Sequence, residues 1–207
     1  MKTENKVLMA QAREALEGKW GLAVGGGLVF ILVNSATSII PFASIIIGGP
    51  MYVGLAFFFL SLSRKQNPAI KDLFSGFNNF LTALVAFLLV GLYTILWMLL
   101  LIIPGIVAAI SYSQTFLLLA DNPSMSASEA IEKSKKMMDG NKLKFFYLGL
   151  RFIGWSLLCV LTFGIGFLWL IPYMQVTFAK FHDDIKNGTI EQPVVQSQNQ
   201  EAVPQTV

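Results

Sequence analysis

One arginine stands where the rest of the sequence keeps charge out. Arg151 interrupts an otherwise uncharged apolar run, Phe145–Ala179, two helical turns or about 10 Å beyond Lys144. An arginine that shallow can snorkel, bending its guanidinium back to the headgroups along its own apolar stem. It can also grip a phosphate or a carbonyl with its planar fork. Gln114 lies at a similar depth counted from Asp121, beside Tyr112 and the hydroxyls of Ser111, Ser113 and Thr115. Tyr173, Gln175 and Thr177 form a comparable polar group in the last apolar run. Arg151, Gln114, Tyr112, Tyr173 and Gln175 are therefore the candidate ligand-binding residues. Three uses remain open: a cationic, hydroxyl-lined pocket for a lipid phosphate, a structural Arg151–Gln114 pair, or plain snorkelling.

Other polar groups say less. Asn34, Ser35, Thr37 and Ser38 cluster near the far end of the first apolar run, and Gly21 and Gly25 have GxxxG spacing. Both patterns are ordinary helix-packing material in a membrane. Cys159 is the single cysteine, which excludes an intrachain disulfide and a cysteine-rich metal site. No Asp, Glu or His falls within the apolar runs; His182 and Asp183 come just after the last. Intramembrane hydrolysis needs an acid–base or nucleophile–base pair, and proton-coupled transport usually relays through buried acids or histidine. No glycine-rich phosphate loop or metal-spaced His/Cys set appears. An enzyme, a cofactor and a metal are not expected.

The elements that must position these residues follow from where charge is missing. The chain has 207 residues, 55% of them hydrophobic, and a mean hydropathy of +0.63. Three apolar stretches, Trp20–Ser63, Phe80–Ala120 and Phe145–Ala179, contain no charge but Arg151. At helical rise a stretch of some 40 residues reaches about 60 Å, against about 30 Å of hydrocarbon. Each must cross, turn and cross back. The fold class expected is an all-α polytopic membrane protein with six transmembrane helices in three hairpins, residues 20–63, 80–120 and 145–182. Lysines and arginines gather between the hairpins, while the turns near Pro41, Pro104 and Gly164 carry no charge. Such cations stay cytoplasmic, so both termini are expected inside.

The hairpins read as a repeat. Each is preceded by a short amphipathic segment, within residues 1–19, 64–79 and 121–144, that ends near a glycine: Gly18, Gly76 and Gly140. An aromatic follows, then a proline deep in the hairpin (Pro50, Pro104, Pro172) and a tyrosine (Tyr52, Tyr112, Tyr173). Glycine suits the left-handed position that ends a helix. In the second segment Ile70, Leu73, Phe74 and Phe77 have the spacing of one α-helical apolar face. In the third, Ser126 and Glu129 have capping-box spacing. These segments either lie flat on the inner interface or pack on the bundle ends. Residues 183–207 turn polar and aperiodic and are expected to be a disordered cytoplasmic tail.

Taken in order, these elements resemble an uncharacterised bacterial integral-membrane family, domain of unknown function nine-seven-five. The likeness is carried by Arg13 with Leu16-Glu17-Gly18-Lys19-Trp20, Gly49-Pro50 with Gly54, and Phe74-Ser75-Gly76-Phe77. It continues through Ile103-Pro104-Gly105 with Tyr112, Ser134 with Met137-Met138-Asp139-Gly140-Asn141-Lys142, Gly154-Trp155 and Pro172-Tyr173. Phe181-His182 stands where members often carry an aromatic pair with tyrosine. The resemblance implies a bacterial cytoplasmic-membrane protein and assigns no activity.

The function expected is a non-enzymatic integral membrane protein. It would bind lipid, anionic lipid included, or a membrane-protein partner through its cytoplasmic face and an inner-leaflet cavity. Homo-oligomerisation is a further option; nucleic acid is not expected as a partner. The alternative is a small transporter or lipid-translocating subunit.

Overall fold

The computed structural model describes the backbone of residues 3–39 and 42–198, and side chains as far as residue 187. Among the described residues there are nine α-helices and one 3₁₀ helix. They run α1 (Asn5–Leu16), α2 (Trp20–Ser38), α3 (Ala43–Ser63), the 3₁₀ helix (Ile70–Asn79), α4 (Phe80–Leu100), α5 (Ile102–Tyr112), α6 (Thr115–Asp121), α7 (Ala127–Met138), α8 (Lys142–Leu161) and α9 (Phe167–Gln198). Five helical stretches are long and apolar enough to cross a membrane: α2, α3, the 3₁₀ helix with α4, α5 with α6, and α8. The apolar part of α9, Phe167–Ala179, precedes a charged continuation. The chain does not leave helix at residue 183, where a disordered tail was expected to begin: α9 continues to Gln198. Asp183, Asp184 and Lys186 are held there by ion pairs to other helices. Residues 199–207 and the turn near Pro41 lie outside the described residues.

Two lead-in turns share one geometry. Glu17 (φ −58°, ψ 128°) and Gly18 (φ 72°) are the centre of a turn closed by the Lys19 amide donating to the Leu16 carbonyl at 2.9 Å. Asp139 (φ −66°, ψ 131°) and Gly140 (φ 66°) repeat it, with the Asn141 amide donating to the Met138 carbonyl at 3.0 Å. Both are type II turns, whose third position needs a positive φ and so favours glycine.

The second lead-in is built differently. It is 3₁₀ rather than α-helical, and it touches α3 backbone to backbone. A Cβ on Gly54 would lie 1.8 Å from the Leu73 carbonyl oxygen, and one on Gly76 would lie 2.0 Å from that of Pro50. The expected apolar face is corrected accordingly. Leu73 is fully buried, whereas Ile70, Phe74 and Phe77 are exposed. In a 3₁₀ helix side chains at i and i+3 eclipse, so Phe74, Phe77 and Phe80 form an outward row with successive ring centroids 6.3 Å apart.

The hairpins close into a ring. α3 packs on α4, α5 on α8, and α9 back on α2. Each second helix also carries the lead-in segment of the next hairpin: the 3₁₀ helix on α3, α7 on α5 and α6, and α1 on α9. The second helices form the interior. Of the most apolar 18-residue window in each stretch, 72% is buried in α3 and 44% in α5–α6, against 17% in α2 and 11% each in the 3₁₀–α4 stretch and α8, so the first helices are the more exposed ones.

Candidate functional site

The charged ends of the three second helices meet at Arg64, just past α3. Its Nη1 donates to Asp121 at 2.6 Å and its Nη2 to Asp183 at 2.7 Å. Lys186 also pairs with Asp121. Arg64 can sit there because α3 ends in a Schellman turn: Gln66 N–H donates to Ser61 at 2.9 Å and Lys65 N–H to Leu62 at 3.0 Å. Lys65 occupies its left-handed position at φ 61°. A second clasp joins Asp184 to Lys144 at 2.7 Å and to Thr3. Burial would raise the Asp184 carboxyl, but these hydrogen bonds outweigh it and hold it below the usual range.

Beneath the clasp lies a buried polar node at the break between α5 and α6. The Gln114 backbone N–H donates to Ser134 Oγ at 3.2 Å, and that hydroxyl donates to the Ser111 carbonyl at 2.7 Å. Gln114 Oε1 faces His182 Nδ1 at 3.2 Å. Because that oxygen can only accept, Nδ1 carries the proton. Burial pushes the His182 imidazole down to about 4, so it is neutral near pH 7. Its Nε2 and Thr115 Oγ1 are buried without a hydrogen-bond partner among the described residues.

The five candidate residues are not brought into one pocket. Gln114 is fully buried in the node, paired with His182 and not with Arg151. Tyr112 is buried with its ring 6.0 Å from Tyr93, on a cleft of about 340 Å³ between α4, α5 and α7 that Trp97, Ile131 and Lys135 also line. Gln175 is half-buried, and its side chain makes no hydrogen bond among the described residues. Tyr173 lies elsewhere, its hydroxyl donating to the Met9 carbonyl at 3.2 Å and its ring edge-on to Phe152 at 5.7 Å. Arg151 is exposed, with no ion pair among the described residues.

Tyr173 opens a third place, a cleft of about 300 Å³ between α1, the start of α2, α8 and α9. Arg13, Trp20, Trp155, Cys159, Gly166, Trp169 and Leu170 complete its lining. Its floor is tight, since a Cβ on Gly166 would lie 2.7 Å from Cys159 Sγ. Arg151 shares a face of α8 with Trp155 and Cys159, at i, i+4 and i+8, one turn nearer the charged end. Sequence reasoning found Tyr173 and Arg151 but missed Arg13 and the tryptophans. The available signal was an arginine on the first lead-in helix, with tryptophan at the entry of the first hairpin and in both helices of the third.

Long apolar helices, an apolar outer surface and a charged end define a multi-pass helical membrane protein. The chain belongs to the family described as "Protein of unknown function (DUF975)", whose model matches residues 1–111 and again residues 97–189. No curated protein and no solved structure matches it.

Proposed function

We propose that the protein is a non-enzymatic, six-span protein of the bacterial cytoplasmic membrane that binds membrane lipid in the cleft between α1, α8 and α9. Phe167–Ala179 of α9 is the sixth span, the hairpins are three repeats, and the charged end with both termini faces the cytoplasm. The matching turns at Gly18 and Gly140, the closed ring of hairpins and the two family matches support the repeat. The lysines and arginines at one end, absent from the turns at the other, support the orientation. On this orientation Arg13 lies at the cytoplasmic end of the cleft, and Cys159 and Gly166 lie toward the turn on the opposite side.

One observation carries the lipid reading: the cleft has a cation at its charged end and an apolar, aromatic body. Arg13 lies there, and Trp155, Trp169 and Leu170 line the rest. A phospholipid has the same order of parts, and tryptophan favours the boundary between them. Photoactivatable phospholipid in vesicles containing the full chain tests this. Crosslinks concentrated on α1 and on residues 155–173 are expected. Labelling spread evenly over the outer helices α2, α4 and α8 would remove the reading.

A further inference from the structure

Resting on that lipid-binding reading, we infer that the cleft selects phospholipids of net negative charge, with Arg13 and Arg151 together gripping the headgroup phosphate. The two arginines come from distant parts of the chain. Arg13 is on the exposed side of α1, whose other side buries Leu8, Ala12, Ala15 and Leu16 in the bundle. Arg151 is on α8, one turn toward the charged end from the Trp155 that lines the cleft.

Neither has an acidic partner among the described residues, a state shared with exposed lysines such as Lys71 and Lys133; what sets the two arginines apart is their place at an apolar cleft. At the charged end Arg64, Lys65, Lys144 and Lys186 all pair with carboxylates. Arg13 and Arg151 have no ion pair among the described residues, and no carboxylate lines the cleft. One uncompensated guanidinium lining a partly apolar site, with a second one helical turn from its Trp155, attracts an anion, and each can hold phosphate oxygens in a two-pronged geometry. A zwitterionic lipid brings its own ammonium beside the phosphate, which offsets part of that attraction. The apolar stretch beyond, past Trp155 to Trp169 and Leu170, suits an acyl chain drawn from the surrounding leaflet.

Native mass spectrometry of the full chain released from detergent with phosphatidylglycerol or phosphatidylethanolamine tests the assignment. The wild type is expected to retain phosphatidylglycerol at about tenfold lower lipid concentration than phosphatidylethanolamine. Arg13→Gln with Arg151→Gln should remove that preference, with phosphatidylglycerol retention falling by more than phosphatidylethanolamine retention. Lys71→Gln, which removes an exposed charge outside the cleft, should keep the preference. Both arginines are exposed and unpaired, so the double variant should keep the wild-type melting temperature. If it does not, Arg13→Lys with Arg151→Lys serves instead: charge stays, the fork is lost, and the preference should shrink. Equal retention of both lipids by the wild type, lost in Trp155→Ala, would overturn the headgroup assignment and leave lipid binding standing. Retention of neither lipid, or retention insensitive to Trp155→Ala and to both arginines, would overturn the cleft as a lipid site altogether.

Discussion

His182 is the residue whose environment departs most from what its neighbours in sequence lead one to expect. It follows Phe181 and precedes two aspartates, a setting that reads as solvated, yet it is fully buried against Gln114. Burial holds its imidazole at about 4, well under the usual histidine value. Between about pH 6.5 and pH 4 the unfolded chain therefore binds a proton that the folded chain does not. Stability contributed by neutral His182 is fully present above that window and is lost as pH falls through it, on the order of 3 kcal/mol in all. Thermal unfolding followed by tryptophan fluorescence should show melting falling steeply across that range. In His182→Asn, whose amide can still donate to Gln114, the slope should flatten. An unchanged slope would place the acid sensitivity in the carboxylate clasps instead. The sequence did single out Gln114 as a buried polar group, but it could not choose its partner. Depth counted along each hairpin set Gln114 level with Arg151, which assumes hairpins without relative tilt or slide. Gln114 instead meets His182 at the charged end of α9, and that offset between hairpins is a packing outcome with no local signal.

At the scale of elements, the contact between the 3₁₀ helix and α3 sets the most stringent demand on sequence. Gly54→Ala or Gly76→Ala pushes a methyl into a carbonyl oxygen at 1.8 or 2.0 Å, and since the obstacle is backbone, no rotamer change relieves it. Each should destabilise by at least about 3 kcal/mol, read as a fall in melting temperature or in recovered folded protein. Gly21→Ala, where an added Cβ meets nothing within 4 Å, is the matched control and should be close to neutral. Lys65 predicts the opposite sign. It holds a left-handed conformation that costs a side-chain-bearing residue about 1 kcal/mol, while its ion pair with Glu14 is mostly exposed and contributes little. Lys65→Gly should therefore raise the melting temperature slightly, and a clear fall would mean the Glu14 pair matters more than its exposure implies. The glycines at the lead-ins were legible because a helix stop has a local signature, and Gly18 and Gly140 bear it out with positive φ. Gly76 looked the same in sequence but serves close approach to Pro50, a demand set by how the segment packs back on the preceding helix, α3. The expected α-helical face of Ile70, Leu73, Phe74 and Phe77 is likewise replaced: Leu73 turns inward and Phe74, Phe77 and Phe80 form the outward row.

At the scale of the molecule, the second helices form the interior, tied at their charged ends by Arg64, and the first helices are the exposed ones. The apolar stretches were legible because missing charge is unambiguous over forty residues. The closure of the third hairpin on the first was not, since no residue pattern announces which hairpins become neighbours. The cleft depends on that closure, for Arg13 comes from the first lead-in and the tryptophans beyond it from the third hairpin. The most direct test of the arrangement is labelling of single cysteines in Cys159→Ala by a membrane-impermeant maleimide, applied to intact cells and again after lysis. Lys65→Cys, Ser124→Cys and Asn187→Cys should react only after lysis, whereas Phe163→Cys, at a side chain 99% exposed in the last turn, should react in intact cells. Labelling of Lys65→Cys or Ser124→Cys from outside, or of Phe163→Cys and Asn187→Cys from the same side, would contradict the six-span, three-hairpin account.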